Sequence, residues 1–182
     1  MKQTRPGHYV GAATAVDPSG SGTFSSTTCT LSAGSCSVTY TPTSGHEGSI
    51  TITGTYGGDS VHATSSGTST LTVNQRGATV TISCSPNPVT HPSSSTCTVT
   101  VSDSSTGTKI TPTGTVTMSI VSWSGSASHT PTFSNNPCTL SGGTCTITIN
   151  TSRAGTLVIQ ASYSGDTDHL SATSSHYTET VS

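Results

Sequence analysis

The chain has 182 residues, room for one or two domains, and holds 75 Ser and Thr but only 28 Ile, Leu, Val and Phe. So lean an apolar set would read as disorder beside a high net charge, but the formal charge is only −2, so order is expected. The five cations, Lys2, Arg5, Arg76, Lys109 and Arg153, form no basic stripe, which excludes a nucleic-acid partner, and no stretch nears the roughly 20 apolar residues of a membrane helix.

Met1 to Val10 carries two basic residues with no apolar run behind them, so it is not a secretory signal. Six cysteines among abundant Ser and Thr nevertheless fit an oxidising, extracellular setting. The two observations together predict a piece of a longer exported chain. The competing reading is a cytosolic protein with six free thiols.

Beyond the N-terminus, apolar residues alternate with Thr and Ser at period two, and helical periodicity is absent. A first set of strands is read at His8 to Ala13, Phe24, Cys36-Val38-Tyr40, Ile50-Ile52-Tyr56 and Leu71-Val73. The join Asn74-Gln75-Arg76-Gly77 is too short for a flexible coil, which predicts two units set end to end. Next come strand A (Val80, Ile82, Cys84), strand B (Cys97, Val99, Val101) and strand C (Val116, Met118, Ile120). A short strand at Thr139-Leu140 precedes strand E (Cys145, Ile147, Ile149), strand F (Leu157, Ile159, Ala161, Tyr163) and strand G (Tyr177, Val181).

The two sets are one unit written twice. Phe24, Cys29-Thr30-Leu31-Ser32, Cys36 and Tyr56-Gly57-Gly58-Asp59 return as Phe133, Cys138-Thr139-Leu140-Ser141, Cys145 and Tyr163-Ser164-Gly165-Asp166. Seven short strands in about 100 residues predict an immunoglobulin-like sandwich. The fold class is therefore all-β, tandem Ig-like sandwiches: residues 1–75 an incomplete domain with strands C to G, residues 76–182 a complete one with A to G. Nothing before His8 matches strands A and B, so the first sandwich is expected to expose an edge and an inner face.

A core this lean calls for covalent staples. Cys29/Cys36 and Cys138/Cys145 share C-x6-C spacing, and pairing within each hairpin is the simplest arrangement. A two-residue turn at Ala33-Gly34 would leave Cys29 diagonal to Cys36, which favours a four-residue loop, Leu31 to Gly34, with the cysteines opposed. Of the three pairings open to the second unit, the one adopted adds Cys84–Cys97 across Pro86-Asn87-Pro88. Each such short loop contributes roughly 2–3 kcal/mol. The spacing suits no zinc knuckle, so no metal is expected at the cysteines.

Candidate sites are few. Asp59…His62 and Asp166…Asp168-His169 follow strand F in both units; one or two carboxylates underfill a calcium site, and Asp accepting backbone N–H bonds in a turn is the preferred reading. The tyrosines before them, Tyr56 and Tyr163, are expected to pack on the core with the hydroxyl reaching loop backbone. His46-Glu47 lacks a second histidine, no Gly-x-Ser-x-Gly elbow occurs, and neither an enzyme nor a cofactor is expected. Trp123, with His129 nearby, follows strand C in a Gly/Ser-rich segment, where it either stacks on a ligand or folds back over the core. Asn150-Thr151-Ser152 is a glycosylation sequon.

With the Leu-Ser-Gly-Gly turn, Pro112 to Val116 and Tyr163-Ser164-Gly165-Asp166, the chain resembles the bacterial Ig-like repeats of surface and secreted proteins. The resemblance implies a non-catalytic stalk or adhesive segment outside the cell, with neighbouring repeats of a longer chain as partners and no membrane insertion. One alternative is a module that binds a surface glycan or protein through Trp123. Another is an assembly subunit completed by a donor strand. The chain departs from the resemblance in its cysteines and in Glu179, which takes the phase of Leu71 and is expected at the sandwich rim or beside a neighbouring repeat.

Overall fold

The computed structural model describes residues 9–182, so His8 of the expected first strand and the segment before it lie outside. The chain forms two units, Met1–Asn74 and Gln75–Ser182. β-Branched residues at every second position hold the backbone extended in both, because they fit a pleated, half-buried surface.

Unit 1 contains β1 (Ala12–Val16), β2 (Gly22–Phe24), β3 (Thr28–Thr30), β4 (Tyr40–Pro42), β5 (Gly48–Tyr56) and β6 (Ser65–Val73). Four strands run in the order β3-β1-β5-β6, and β2 and β4 form a separate pair. Ile50, 4% exposed, is the one fully buried large apolar side chain among the described residues of this unit. Asp17 fixes the passage from β1 to β2, accepting hydrogen bonds from Ser21 N–H and the Tyr40 hydroxyl, both at 2.7 Å.

Unit 2 contains β7 (Ala78–Ser85), β8 (Ser94–Asp103), β9 (Thr115–Trp123), β10 (Thr132–Ser134), β11 (Cys138–Thr139), β12 (Thr144–Asn150), β13 (Gly155–Tyr163), β14 (Ala172–Thr173) and β15 (Tyr177–Val181). One sheet runs β10-β12-β8-β7; the other runs β11-β9-β13, with β14 and β15 both paired to β13. Between them lies a core of Val99, Val116, Ile147, Ile149, Leu157 and Ile159, each with no exposed surface. The segment joining β7 to β8 crosses to the other sheet. There Val89 N–H donates to Thr180 O, and Ser182 N–H donates to Val89 O, each at 2.9 Å.

The repeat holds in three dimensions. Tyr56 pairs with Ala13 as Tyr163 pairs with Val116, and Leu71 faces Ile50 as Glu179 faces Leu157. Both units are Ig-like sandwiches, the first without strands A and B.

The cysteine hairpins depart from expectation. Bridges Ser32↔Ser35 and Ser141↔Thr144 close two-residue turns, Ala33-Gly34 and Gly142-Gly143, not the four-residue loop Leu31 to Gly34. All four turn residues have positive φ, the backbone of a tight hairpin turn. The arms separate after the turn: Cys138 pairs with Val116 in one sheet and Cys145 with Val99 in the other. The Cys138–Cys145 disulfide therefore links the two sheets, with Cα atoms 5.9 Å apart, and the diagonal placement is no obstacle. Cys29–Cys36 repeats that distance, and Cys84–Cys97 joins directly opposed residues of β7 and β8.

Glu179 is also placed differently from the rim position expected. It points into the core from β15 with no exposed surface, and neither carboxylate oxygen has a hydrogen-bond partner. Beside it, Val89 pairs with Val181 along the outer edge of β15.

Candidate functional site

The loop after β13 gathers a connected set of polar side chains. Asp166 Oδ1 accepts from the backbone N–H groups of Asp168 and His169 at 3.0 and 2.7 Å, the turn expected from Gly-Asp. Its other oxygen takes Thr113 N–H at 2.7 Å, and His169 Nδ1 lies 2.8 Å from Oδ1. The His169 ring is buried, with Nε2 unpartnered and 3.8 Å from Asp103 Oδ2. Asp103 completes the cluster by accepting from Arg76 Nε at 2.6 Å, Ser105 N–H at 2.8 Å and Ile110 N–H at 3.0 Å.

This arrangement fastens the first residues of unit 2. Arg76 N–H donates to Asp168 O at 2.7 Å, Leu170 N–H donates to Arg76 O at 2.9 Å, and Gln75 Nε2 donates to Asp166 O at 3.1 Å. Burial opposes charge on Asp103 and Asp166. Even so, the Ile110 N–H and Arg76 hold the first carboxyl well below the usual range, and Thr113 N–H and His169 do the same for the second. Neither Arg76 nor Asp103 stands out in the sequence as a partner of this loop. A lone arginine in an otherwise uncharged join is the one available signal.

Unit 1 repeats the turn in simpler form. His62 Nδ1 sits 2.8 and 2.9 Å from the two oxygens of Asp59, whose carboxyl is held low chiefly by Val61 N–H. The Tyr56 hydroxyl donates to Val10 O at 2.9 Å, the contact with loop backbone expected of it. Tyr163 differs: its hydroxyl is buried without a hydrogen bond, and burial with Asp166 nearby pushes it up.

Trp123 closes β9 instead of standing in the loop beyond it. The register between β9 and β13 shifts at Val158/Ile159, so Trp123 comes opposite Leu157 and turns its ring onto the core. A bulge of this kind reverses the face of every later residue and leaves no trace in simple alternation. Gly125 and Gly155 make room for the indole; a Cβ on either would lie within 2.6 Å of ring carbons. The indole N–H donates to Ser126 O at 3.1 Å, and the same carbonyl accepts from His129 N–H at 2.9 Å. Trp123 and His129 are thus both half-buried and meet at one backbone oxygen, with His129 Nδ1 2.9 Å from Ser128 Oγ.

Asn150 ends β12 with its amide engaged: Nδ2 donates to Ser134 Oγ at 2.8 Å and Oδ1 accepts from Ser94 Oγ at 3.1 Å. His46-Glu47 lies in the turn before β5. No helix among the described residues is long and apolar enough to cross a membrane.

Among solved structures, the D00-D0 domain of intimin is similar at 16% identity and a TM-score of 0.40, over 96% of this chain and 87% of that one. FdeC, an Escherichia coli adhesin, gives 16% and 0.42 over 97% and 54%, and domains 4 and 5 of the S-layer protein SbsC give 19% and 0.36 over 79% and 62%. No curated protein matches the sequence. The family model of the bacterial Ig-like domain (group 3) matches residues 81–182, more than half of the chain, and the chain belongs to that family.

Proposed function

We propose that the chain is a non-catalytic spacer segment of a cell-surface or secreted bacterial protein, one stretch of a longer Ig-like array. The supporting observation is where the polar chemistry goes. Asp103, Asp166, His169 and Arg76 bond to one another and to backbone, so this polar cluster builds a loop and anchors the start of a repeat. Three disulfides and few charges suit an oxidising exterior, where such a unit must stay folded without help. Its work is mechanical: holding neighbouring repeats at a set spacing along a chain.

Stretching the chain between its ends tests this. Unit 2 is expected to unfold at a force that drops on reduction of its disulfides, while glycan arrays and surface-protein pull-downs retain nothing. Saturable binding of a glycan or protein that disappears in Trp123→Ala would overturn the spacer reading in favour of a binding module.

A further inference from the structure

Within unit 2, the residues from Asn87 to His91 lie along β15 as a strap. Asn87 takes the part of a strand with its side chain: Nδ2 donates to Thr178 O at 3.0 Å, and Oδ1 accepts from Thr180 N–H at 3.1 Å. Val89 N–H and His91 N–H donate to Thr180 O and Ser182 O, and Ser182 N–H donates to Val89 O, each at 2.9 Å. β15 is thus held along both edges, by β13 from Gly155↔Val181 to Ile159↔Tyr177 on one side and by the strap on the other. The strap has its own anchor. Cys84 and Cys97, directly opposed on β7 and β8, close a ring that contains it, and Val89 and Cys97 are both at 0% exposure.

Tension along the chain enters unit 2 at Gln75 and leaves it at Ser182. These lie at opposite ends of the sandwich: Arg76 pairs with His169, in the loop that follows the end of β13, whereas Val181 pairs with Gly155, where β13 begins. β7 and β15 are therefore pulled along their own axes, which loads their ladder hydrogen bonds together in shear. Without the bridge, β7 sliding off β8 would draw the strap away from β15. With it, β7 cannot move without β8, and β12 holds β8 from Thr144↔Thr100 to Asn150↔Ser94. We propose that the strap Asn87–His91 is a tension latch: it holds β15 in place when the chain is pulled, and the Cys84–Cys97 bridge keeps the strap seated. This rests on the spacer reading and adds to it the part of the fold that bears the load.

Full chains held at constant force between their ends report the unfolding rate of unit 2. Asn87→Ala, at an exposed position, removes both side-chain bonds to the backbone of β15 and should raise that rate about 10-fold. With the second handle moved to His176, just ahead of β15, the strap carries no load, and the same substitution should leave the rate unchanged. In a chain with Cys84→Ala and Cys97→Ala, Asn87→Ala should add nothing to a rate already raised, because the strap leaves with β7. Equal rates for the parent and Asn87→Ala under end-to-end tension would overturn the proposal. An equal rise with the handle at His176 would also overturn it, by making Asn87 a contributor to overall stability alone. A further rise of the same size in the bridgeless chain would remove the anchoring role of the bridge. Failure of the latch leaves the spacer reading standing, since a spacer can bear load through other contacts, whereas glycan or protein capture would sink that reading and leave these rates as measured.

Discussion

Ile52 and Ile159 are the same residue type at the same place in the repeat, yet Ile159 is sealed at 0% exposure while Ile52 is half-buried. The pattern extends along the strands: Val116 and Ala161 are fully buried where Ala13 is half-buried and Gly54 exposed. Most strands and turns and the hairpin disulfide are shared, so the difference comes mainly from β7 and β8 and the crossing between them. Burial here is a property of the layer opposite and not of the side chain itself. At about 25 cal/mol per Å² of apolar surface removed from water, two strands decide whether the repeat has a core.

The largest expected effect is therefore a contrast between twins. Ile159→Ala should cost unit 2 about 2–5 kcal/mol, whereas Ile52→Ala should cost unit 1 about 1 kcal/mol or less, read as separate transitions in denaturant. Equal losses would mean that unit 1 buries Ile52 in solution as unit 2 buries Ile159. Next in size, Cys138→Ala with Cys145→Ala should cost about 2–3 kcal/mol, since the bond closes a short loop and also ties one sheet to the other.

Much of this was legible in the residues and some was not. Period-two alternation located the strands of unit 2, and the repeated Tyr-x-Gly-Asp exposed the duplication, because both depend on local spacing. The disulfide partners followed from recurrence, but their geometry did not. A hairpin seen alone gives no sign that its arms belong to different sheets, as those of Cys138 and Cys145 do. For Trp123 the residues leave a ligand-stacking and a folded-back reading open; one bulge in β9, which inverts the face that alternation assigns, turns the ring onto the core. Glu179 stands out of pattern beside Leu71, but spacing along one strand does not say that the opposite layer closes over it, as its 0% exposure shows.

Glu179→Leu places in unit 2 the residue that unit 1 carries, and should stabilise it by about 1–2 kcal/mol near neutral pH. Burial raises the Glu179 carboxyl above its ordinary 4.5. The folded state therefore holds this proton more tightly than the unfolded chain. The Glu179 contribution to stability is complete below pH 4.5 and is lost as pH rises through the folded value. Denaturation midpoints of unit 2 should decline on that limb in the parent and stay level in Glu179→Leu; parallel curves would show that the carboxyl is not buried.

The smallest effect lies on the acid side and separates the units once more. Where unit 2 continues β9 through Ile120, unit 1 turns at Asp17, whose carboxyl is lowered to about 2 by the Ser19 hydroxyl and Tyr40. A lowered acid stabilises above its unfolded value, here 3.8, and that contribution disappears as pH falls towards about 2. In Asp17→Asn the acid limb of the unit 1 transition should shrink to the part that Asp59 supplies, while the unit 2 transition keeps its own acid limb from Asp103 and Asp166. If both limbs flatten together, the two units do not unfold independently.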